Sequence, residues 1–366
     1  MKLFFVLTAL CLFSFSSKSQ NYYIVSGKVI STETGQALAG TSVFAQNTTI
    51  GTATDAEGNF KLYLPNGGYD LVVTYSGYTT ESRRVSTGDE GNKSLLFQLK
   101  QKEKEMAEVS VVATTEVKDG WEKYGSFFID EFIGKTGNSK TSRLKNPEAL
   151  KFYFSKKRNR LKVLATETLQ IENQALGYNI KYSLDSFTHE YATETSLYTG
   201  YPLFEEMTAT DSMQKGNWML AREQAYQGSM LHFMRSLYNR NLKDEGFEVQ
   251  FLVKSNDRQI AVSLKDAYAA LHYERDDSSK TVEILPNQTE VGIIFNKEKP
   301  APAFLAANPE EPATFQFSVL SFKPQESIVI EENGYFYDQA DLSISAYWTW
   351  DKMADLLPYD YHPANH

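Results

Sequence analysis

The stretch GTATDAEGNFKL, Gly51 to Leu62, sets a polar tip of Asp55-Ala56-Glu57-Gly58 between two short apolar runs. Asp followed three residues later by Gly has two readings. In a turn, the Asp side chain accepts from nearby backbone N–H groups and Gly takes a positive φ. In a calcium loop, oxygen ligands recur at alternate positions. Only Asp55 and Glu57 are acidic here, so the stretch reads as the tip of a hairpin. The flanks repeat the pattern outward: YYIVSGKVIS, TSVFAQNT, FKLYLP, NGGYDLVVTYSGYTT and KSLLFQLK are β-branched and aromatic runs cut by Gly, Asn, Asp and Pro. Short strands at such spacing predict an all-β sandwich. The alternation of Tyr69, Leu71, Val73 and Tyr75 places these four on one face.

Upstream, Lys2 precedes the apolar run LFFVLTALCLF, and Ser17-Lys18-Ser19 gives a small-x-small site. This pattern predicts a secretory leader over residues 1–19, cleaved after Ser19, with the Gln20–Asn21 bond as second choice. The apolar run is shorter than the ~20 residues a membrane-spanning helix needs. Cys11 follows the bulky Leu10, which argues against a lipid-modified cysteine. It is the only cysteine of the 366 residues, so the expected mature chain, 20–366, has no disulfide or thiolate ligand. With 46 acidic against 37 basic residues, the net charge is −9. That balance disfavours nucleic acid, whose binding rests on neutralising phosphates. The length suits two domains, each with its own core.

The charged QKEKEMAE, 101–108, closes the sandwich region. The expected division is a sandwich over 20–101, a linker or extra strand over 102–117 containing VSVVATT, and an α+β domain over 118–366. In that last region Trp121, Phe127, Phe128, Phe132 and Ile133 are spaced as on a helix that Gly134 ends. A longer helix is expected from Trp218 to Asn241, where Tyr226, Met230, Phe233, Met234, Leu237 and Tyr238 form one apolar stripe that Gly228 weakens. The remaining segments read as strands, giving a mainly antiparallel sheet with one long helix.

The run from VSGKVIS to YSGYTT, with Gly27-Lys28-Val29, GQALAGTSV, GTATDAEGNFKL and Ser76-Gly77-Tyr78, resembles the carboxypeptidase-regulatory-like domain. That family is a transthyretin-like sandwich of exported Bacteroidetes-type proteins, and the resemblance covers roughly residues 23–100. The segments GWEKYGSFFIDEFIG, IENQALGYNIKYSL, AYQGSMLHFMRSLYN and YWTWDKMADLLP are similar to motifs in exported proteins that carry the same sandwich in front. The resemblance implies a cell-envelope protein, in the periplasm or at the periplasmic face of the outer membrane. It carries over no catalytic residue and no cofactor. MAEVSVVATT resembles the segment joining this sandwich to the plug of TonB-dependent receptors, which implies an outer-membrane β-barrel complex as partner. A barrel needs many membrane strands, and none of barrel length follows, so the chain is not expected to span the membrane itself.

Candidate sites are few. The five histidines, His189, His232, His272, His362 and His366, show neither H-x-x-E nor H-E-x-x-H, so zinc peptidase chemistry lacks its ligand spacing. No G-x-S-x-G elbow, P-loop or dinucleotide glycine pattern is present. Acidic pairs such as Glu205-Glu206 and Asp276-Asp277 read as solvated faces before they read as a glycosidase pair. His232, Arg235, Ser229 and Asn239 lie on the expected long helix as a candidate interaction face, against the plainer reading that they brace loops. Arg235 is expected to pair with Glu205 or Glu206. Tyr347, Trp348 and Trp350 are a candidate aromatic platform for a glycan, against core filling. Asp211-Ser212-Met213 is similar to the O-glycosylation triplet of this bacterial group. The reading is a non-catalytic exported envelope protein acting as a protein-interaction or structural module. Its alternative is a glycan-binding protein or a hydrolase of envelope glycans or peptides, working through residues 118–366.

Overall fold

The computed structural model describes residues 22–102, 115–255, 258–337 and 342–364. The expected leader, and 103–114 of the expected linker or extra strand, lie outside these residues. Seven strands open the chain: β1 (Tyr22–Ser31), β2 (Ser42–Ala45), β3 (Gly51–Ala53), β4 (Asn59–Pro65), β5 (Gly68–Thr74), β6 (Glu81–Ser86) and β7 (Leu95–Leu99). They form two sheets, β4-β1-β7 and β3-β2-β5-β6. Val25, Val29, Leu62, Leu64, Tyr69, Leu71, Val73 and Phe97 fill the space between them.

The turn at Asp55–Gly58 is as expected, but the hairpin is not. The Asp55 carboxylate accepts from the N–H of Asn59 (2.7 Å) and of Glu57 (3.1 Å). Gly58 sits at φ +79°, where a Cβ would lie 2.6 Å from the Val29 carbonyl oxygen. These bonds hold the Asp55 pKa below its ordinary value, the Asn59 N–H contributing most. Yet β3 and β4 belong to different sheets. The stretch is the corner at which the chain crosses from one layer of the sandwich to the other.

A second sheet follows. Its elements are β8 (Thr115–Glu116), α1 (Gly120–Phe132), β9 (Ser142–Leu144), β10 (Leu150–Ser155), β11 (Arg160–Ala165), β12 (Leu169–Asn173), β13 (Tyr178–Glu190) and β14 (Thr195–Glu206). The order is β8-β10-β11-β13-β12-β9, with β14 along the other side of β13. Helix α1 ends as expected, with Gly134 at φ +112° donating its N–H to the Ile129 carbonyl (3.1 Å). It buries Phe128 against Phe187 (5.1 Å) and Phe132 against Tyr182 (4.9 Å). Alternation along β14 serves two masters: Phe204 faces this core, while Leu203 packs on Phe44 and Val72 from the outer face of the sandwich.

The third layer holds α2 (Ser212–Tyr226), α3 (Met230–Tyr238), β15 (Phe247–Ser255), β16 (Arg258–Ser263), α4 (Ala267–Ala270), β17 (Glu274–Asp276) and β18 (Thr281–Ile284). It continues with β19 (Glu290–Phe295), α5 (Pro302–Ala307), β20 (Gln316–Phe322), β21 (Ile328–Glu331) and β22 (Leu342–Ala346). Two antiparallel sheets result, β16-β15-β19-β20-β22 and β17-β18-β21. Residues 118–366 are therefore mainly antiparallel, as expected, but they build two cores, and the one long helix is two helices. Tyr226 ends α2 in the core of the second sheet, while Phe233, Met234, Leu237 and Tyr238 of α3 enter the next one. The break falls at Gly228, φ +73°. Its carbonyl accepts from Trp348 Nε1 (2.8 Å), and Ser229 caps α3 by accepting from the His232 N–H (3.1 Å).

A Cβ at Gly228 would stand 2.6 Å from both Gln316 Oε1 and the Phe295 ring. Gly228→Ala should cost about 2–3 kcal/mol in chemical denaturation, through the positive φ and the clash together. Gly216, inside α2 with no neighbour within 4 Å, gives the control. Gly216→Ala should stabilise by roughly 0.5–1 kcal/mol.

Candidate functional site

The residues expected to form an interaction face are mostly internal. Arg235 is 7% exposed. Its Nε donates to the Asn333 carbonyl (3.0 Å), Nη1 to that of Tyr361 (2.8 Å) and Nη2 to that of Tyr359 (2.8 Å). The expected pairing with Glu205 or Glu206 is not made: Glu205 meets Lys181 (2.6 Å) and Glu206 meets Arg222 (2.7 Å). His232 is 2% exposed. Its Nδ1 accepts from the Gly228 N–H (3.2 Å), which leaves Nε2 to donate to Glu245 Oε2 (3.3 Å). Ser229 is the cap of α3, and Asn239 is exposed at its far end. The four do not share an exposed face, because α3 is a core helix whose polar groups satisfy backbone around it.

The aromatic platform is likewise taken inward. Ala346, at φ +61°, turns the chain out of β22 into a 3-10 turn over Tyr347–Thr349. Tyr347 (8% exposed) accepts from the Ala301 N–H through its hydroxyl (3.2 Å) and packs edge-on against Phe304 (4.9 Å). Trp348 is buried on Gly228, and Trp350 is half-buried. Large apolar rings next to a core fill it. Ser212 is the first residue of α2, exposed beside its Asp211 cap.

Around Arg235 the three parts of the chain are locked together. The Asn333 amide donates to the Gly68 carbonyl (3.1 Å), and the Tyr335 hydroxyl donates to Asp70 (3.1 Å). Arg84 of β6 reaches Glu331 at 3.1 Å, and the Tyr337 hydroxyl donates to the same carboxylate. At the other end, the Tyr359 N–H donates to the Asn47 carbonyl (2.7 Å), and Asp360 accepts from the Thr49 N–H (2.9 Å). The Glu331 side chain is 3% exposed, and burial pushes its pKa up to about 7 against the pull of Arg84. Burial raises Asp70 as well.

Two clefts lie beside this junction. One, of about 340 Å³, has apolar walls that include Tyr182, Tyr198, Leu231, Trp348 and Leu356. The other, of about 470 Å³, is more polar, with Lys135, Asn138, Gln224, Glu298 and Gln316 in its lining. They share Ala225, Asp351 and Asp355. Asp355 accepts from the Thr136 hydroxyl (2.8 Å) and the Asn138 amide (3.0 Å), and Glu298 from the Gln316 amide (3.4 Å). Among the described residues, the Asp351 carboxylate has no hydrogen-bond or ion-pair partner. Burial raises all three acids, and Asp351 well above its ordinary value, with Asp355 and Glu298 pushing it further. Among the described residues, no group of three or more acids and histidines is arranged to hold a metal ion. Sequence reasoning passed over Asp351 and Asp355 although they directly follow the aromatic run. Their four-residue spacing was visible, but the burial that makes them unusual comes from α2, 135–138 and 298–303, all distant in the chain.

Residues 25–111 match the CarboxypepD_reg-like domain family, in line with the resemblance read from residues 23–100. Over 94 residues the chain is 34% identical to TonB-dependent receptor P3 of Formosa agariphila, a match covering 26% of this chain and 9% of the receptor. The chain thus spans under a tenth of that relative's length. Among solved structures it is similar to a DUF3823 family protein from Bacteroides ovatus, at 12% identity over 52% of this chain and 83% of that one, with a TM-score of 0.18. A DUF3823 family protein from Parabacteroides merdae gives 11% identity over 50% and 80%, with a TM-score of 0.17. At such scores neither likeness bears on the fold.

Arg235→Ala leaves three carbonyls at the junction without their donor, that of Asn333 in a buried bond, and should cost about 3 kcal/mol or more in thermal or chemical denaturation. Arg235→Lys, lacking the planar fork, should fall between it and the parent. Glu331 sets a pH dependence. Its folded pKa of about 7 lies above the ordinary 4.5, so between those values the folded chain binds more protons than the unfolded one. Stability therefore declines as pH rises through 4.5–7, by up to ~3 kcal/mol from this group, and stays lowered above 7. Glu331→Gln should lessen that slope in melting curves recorded from pH 5 to 8, leaving the part due to the other acids that burial raises, Asp70, Asp351, Asp355 and Glu298 among them.

Proposed function

We propose that this chain is a non-catalytic module of the cell envelope, exported to the periplasm or the periplasmic face of the outer membrane, that docks onto other envelope proteins. An outer-membrane β-barrel complex of the TonB-dependent type is the first partner. The observation that carries this reading is the 94-residue likeness to TonB-dependent receptor P3, beside the match of residues 25–111 to the CarboxypepD_reg-like domain family. The architecture supports it. The sandwich does not hang on a tether; Leu203, Glu331, Asn333 and Asp360 of the following layers hold it by buried apolar and polar contacts. No helix among the described residues is long and apolar enough to cross a membrane. His232 and Arg235, the polar groups a hydrolase would recruit first, are engaged in holding backbone. The alternative, a glycan-binding protein or hydrolase, has its foothold in the polar cleft with Glu298, Asp351 and Asp355.

The test is in vivo cross-linking of the tagged full-length protein, followed by purification from outer membranes and identification of the linked chains. Recovery of a receptor-type barrel at a fixed ratio is the expected result. A protein that purifies free of any barrel, and whose Asp351→Asn variant loses cleavage of an envelope glycan or peptide that the parent performs, would transfer the case to the hydrolase.

A further inference from the structure

The turn end of the β13–β14 hairpin carries a histidine whose two ring nitrogens meet different surroundings. His189 is 2% exposed, its ring edge-on to Phe127 of α1 (4.6 Å) and to Tyr191 (4.5 Å). Its Nδ1 lies 2.9 Å from the hydroxyl of Ser196, the residue paired with it on β14. A serine hydroxyl has one hydrogen, and that of Ser196 goes to Glu131 Oε2 on α1 (2.8 Å). The Ser196 oxygen must therefore accept from the ring, so Nδ1 carries the imidazole hydrogen and Nε2 presents a lone pair. Among the described residues no group donates to Nε2. What stands 3.7 Å from it is a second acceptor, Oε2 of Glu194.

Two acceptors that face each other are reconciled by a cation between them, and the distance says which kind. A proton shared by nitrogen and oxygen draws them to about 2.7–3.2 Å, well inside the separation found here. A zinc-class ion takes an imidazole nitrogen and a carboxylate oxygen each at about 2.1 Å, so 3.7 Å corresponds to a ligand angle of roughly 125°. A small turn of Glu194, whose side chain is 78% exposed, closes that angle to tetrahedral and gives access to Nε2 from solvent. The nitrogen also selects the ion, because calcium and magnesium take oxygen ligands. Behind the imidazole, Ser196 and Glu131 supply the support a ligating histidine needs, an acceptor on its other N–H that fixes ring and tautomer. Glu194 adds an independent sign. It holds φ +50° in the hairpin turn, a left-handed conformation that costs a glutamate more than Gly or Asn. Its counterpart Glu190 is taken by Arg160.

We propose that His189 Nε2 and Glu194 bind a zinc-class divalent ion at the turn of this hairpin, with water completing its coordination. The ion ties the turn to α1 through Ser196 and Glu131. It is independent of any docked barrel and stands or falls without one.

Calorimetric titration of the full-length protein with Zn2+ at pH 7.5 tests this, beside long-range 1H–15N spectra of the histidine rings. Without zinc the spectra should show His189 with its hydrogen on Nδ1. Zinc should bind as one ion per chain and move the His189 Nε2 resonance. Glu194→Gln alters an exposed side chain, so the fold is kept, and it should weaken binding about tenfold or more; Ser196→Ala, which releases the ring, should do so by about tenfold. The triple variant His272→Gln, His362→Gln, His366→Gln keeps only His189 and His232 of the five histidines and should bind as the parent does. Equal affinity in the parent and Glu194→Gln, or binding that disappears in the triple variant, would overturn the proposal. So would a free protein with the His189 hydrogen on Nε2, or an Nε2 resonance that zinc leaves in place.

Discussion

The Arg235 guanidinium points from α3 into a space where two pieces of backbone from elsewhere in the chain converge. Its donors reach the carbonyls of Asn333, Tyr359 and Tyr361. No carboxylate neutralises it among these contacts; the charge is met by carbonyl dipoles and by the face of Tyr226, 5.6 Å from the ring centre. A buried cation tolerates this only when every donor is well placed. The requirement fixes α3, and α3 can be there only because the chain breaks at Gly228. The loop that carries Asn333 then presents Glu331 and Tyr335 to the sandwich, and the segment that carries Tyr359 presents Asp360 to Thr49. One side chain thus sets the positions of two connections on which the sandwich is mounted.

This explains why the outer face of β2 and β5 is apolar. A free sandwich would alternate, with polar residues outside. Val72 and Phe44 lie on that outer side and are as buried as the core, because Leu203 of β14 covers them. The same contact uses the period of a strand: a one-residue slip of β14 would turn Phe204 toward the sandwich and put Leu203 or Glu205 in its place in the core of the second sheet. The pairing of β13 with β14 over nearly their whole length resists that slip.

What was legible in the chain follows from the range of the forces involved. Turn chemistry at Asp55 and Gly58 is local, so it could be read from a dozen residues. Whether the strands leaving the turn pair with each other depends on the partner strands, β1 and β2, and the local pattern is silent about them. The stripe from Tyr226 to Tyr238 is a true helical period, and the glycine inside it was visible. Its meaning was not, because a helix crossing one core and two helices entering different cores bury the same residue types. His232, Arg235, Tyr347 and Trp348 drew notice as polar or aromatic residues that a surface would use. Their burial is a property of the packed whole. Asp351 drew none, and it became unusual only when 135–138, α2 and 298–303, none of them its neighbours in the chain, closed around it.

The junction is also where the chain keeps its least comfortable charges. Among the described residues Arg235 sits without a counter-ion, burial raises Glu331 to about 7, and Asp351 is pushed well above its ordinary value. Each lies where separately packed bodies meet, and this is no coincidence. A core assembled from one sheet and its helix can exclude polar groups altogether, but a seam between bodies must satisfy loop backbone, and charged side chains are the strongest donors and acceptors for that work. Arg235 and Glu331 find partners across the seam and so hold it closed. Asp351, at the same seam but beyond the reach of those partners, is left facing the space between the clefts.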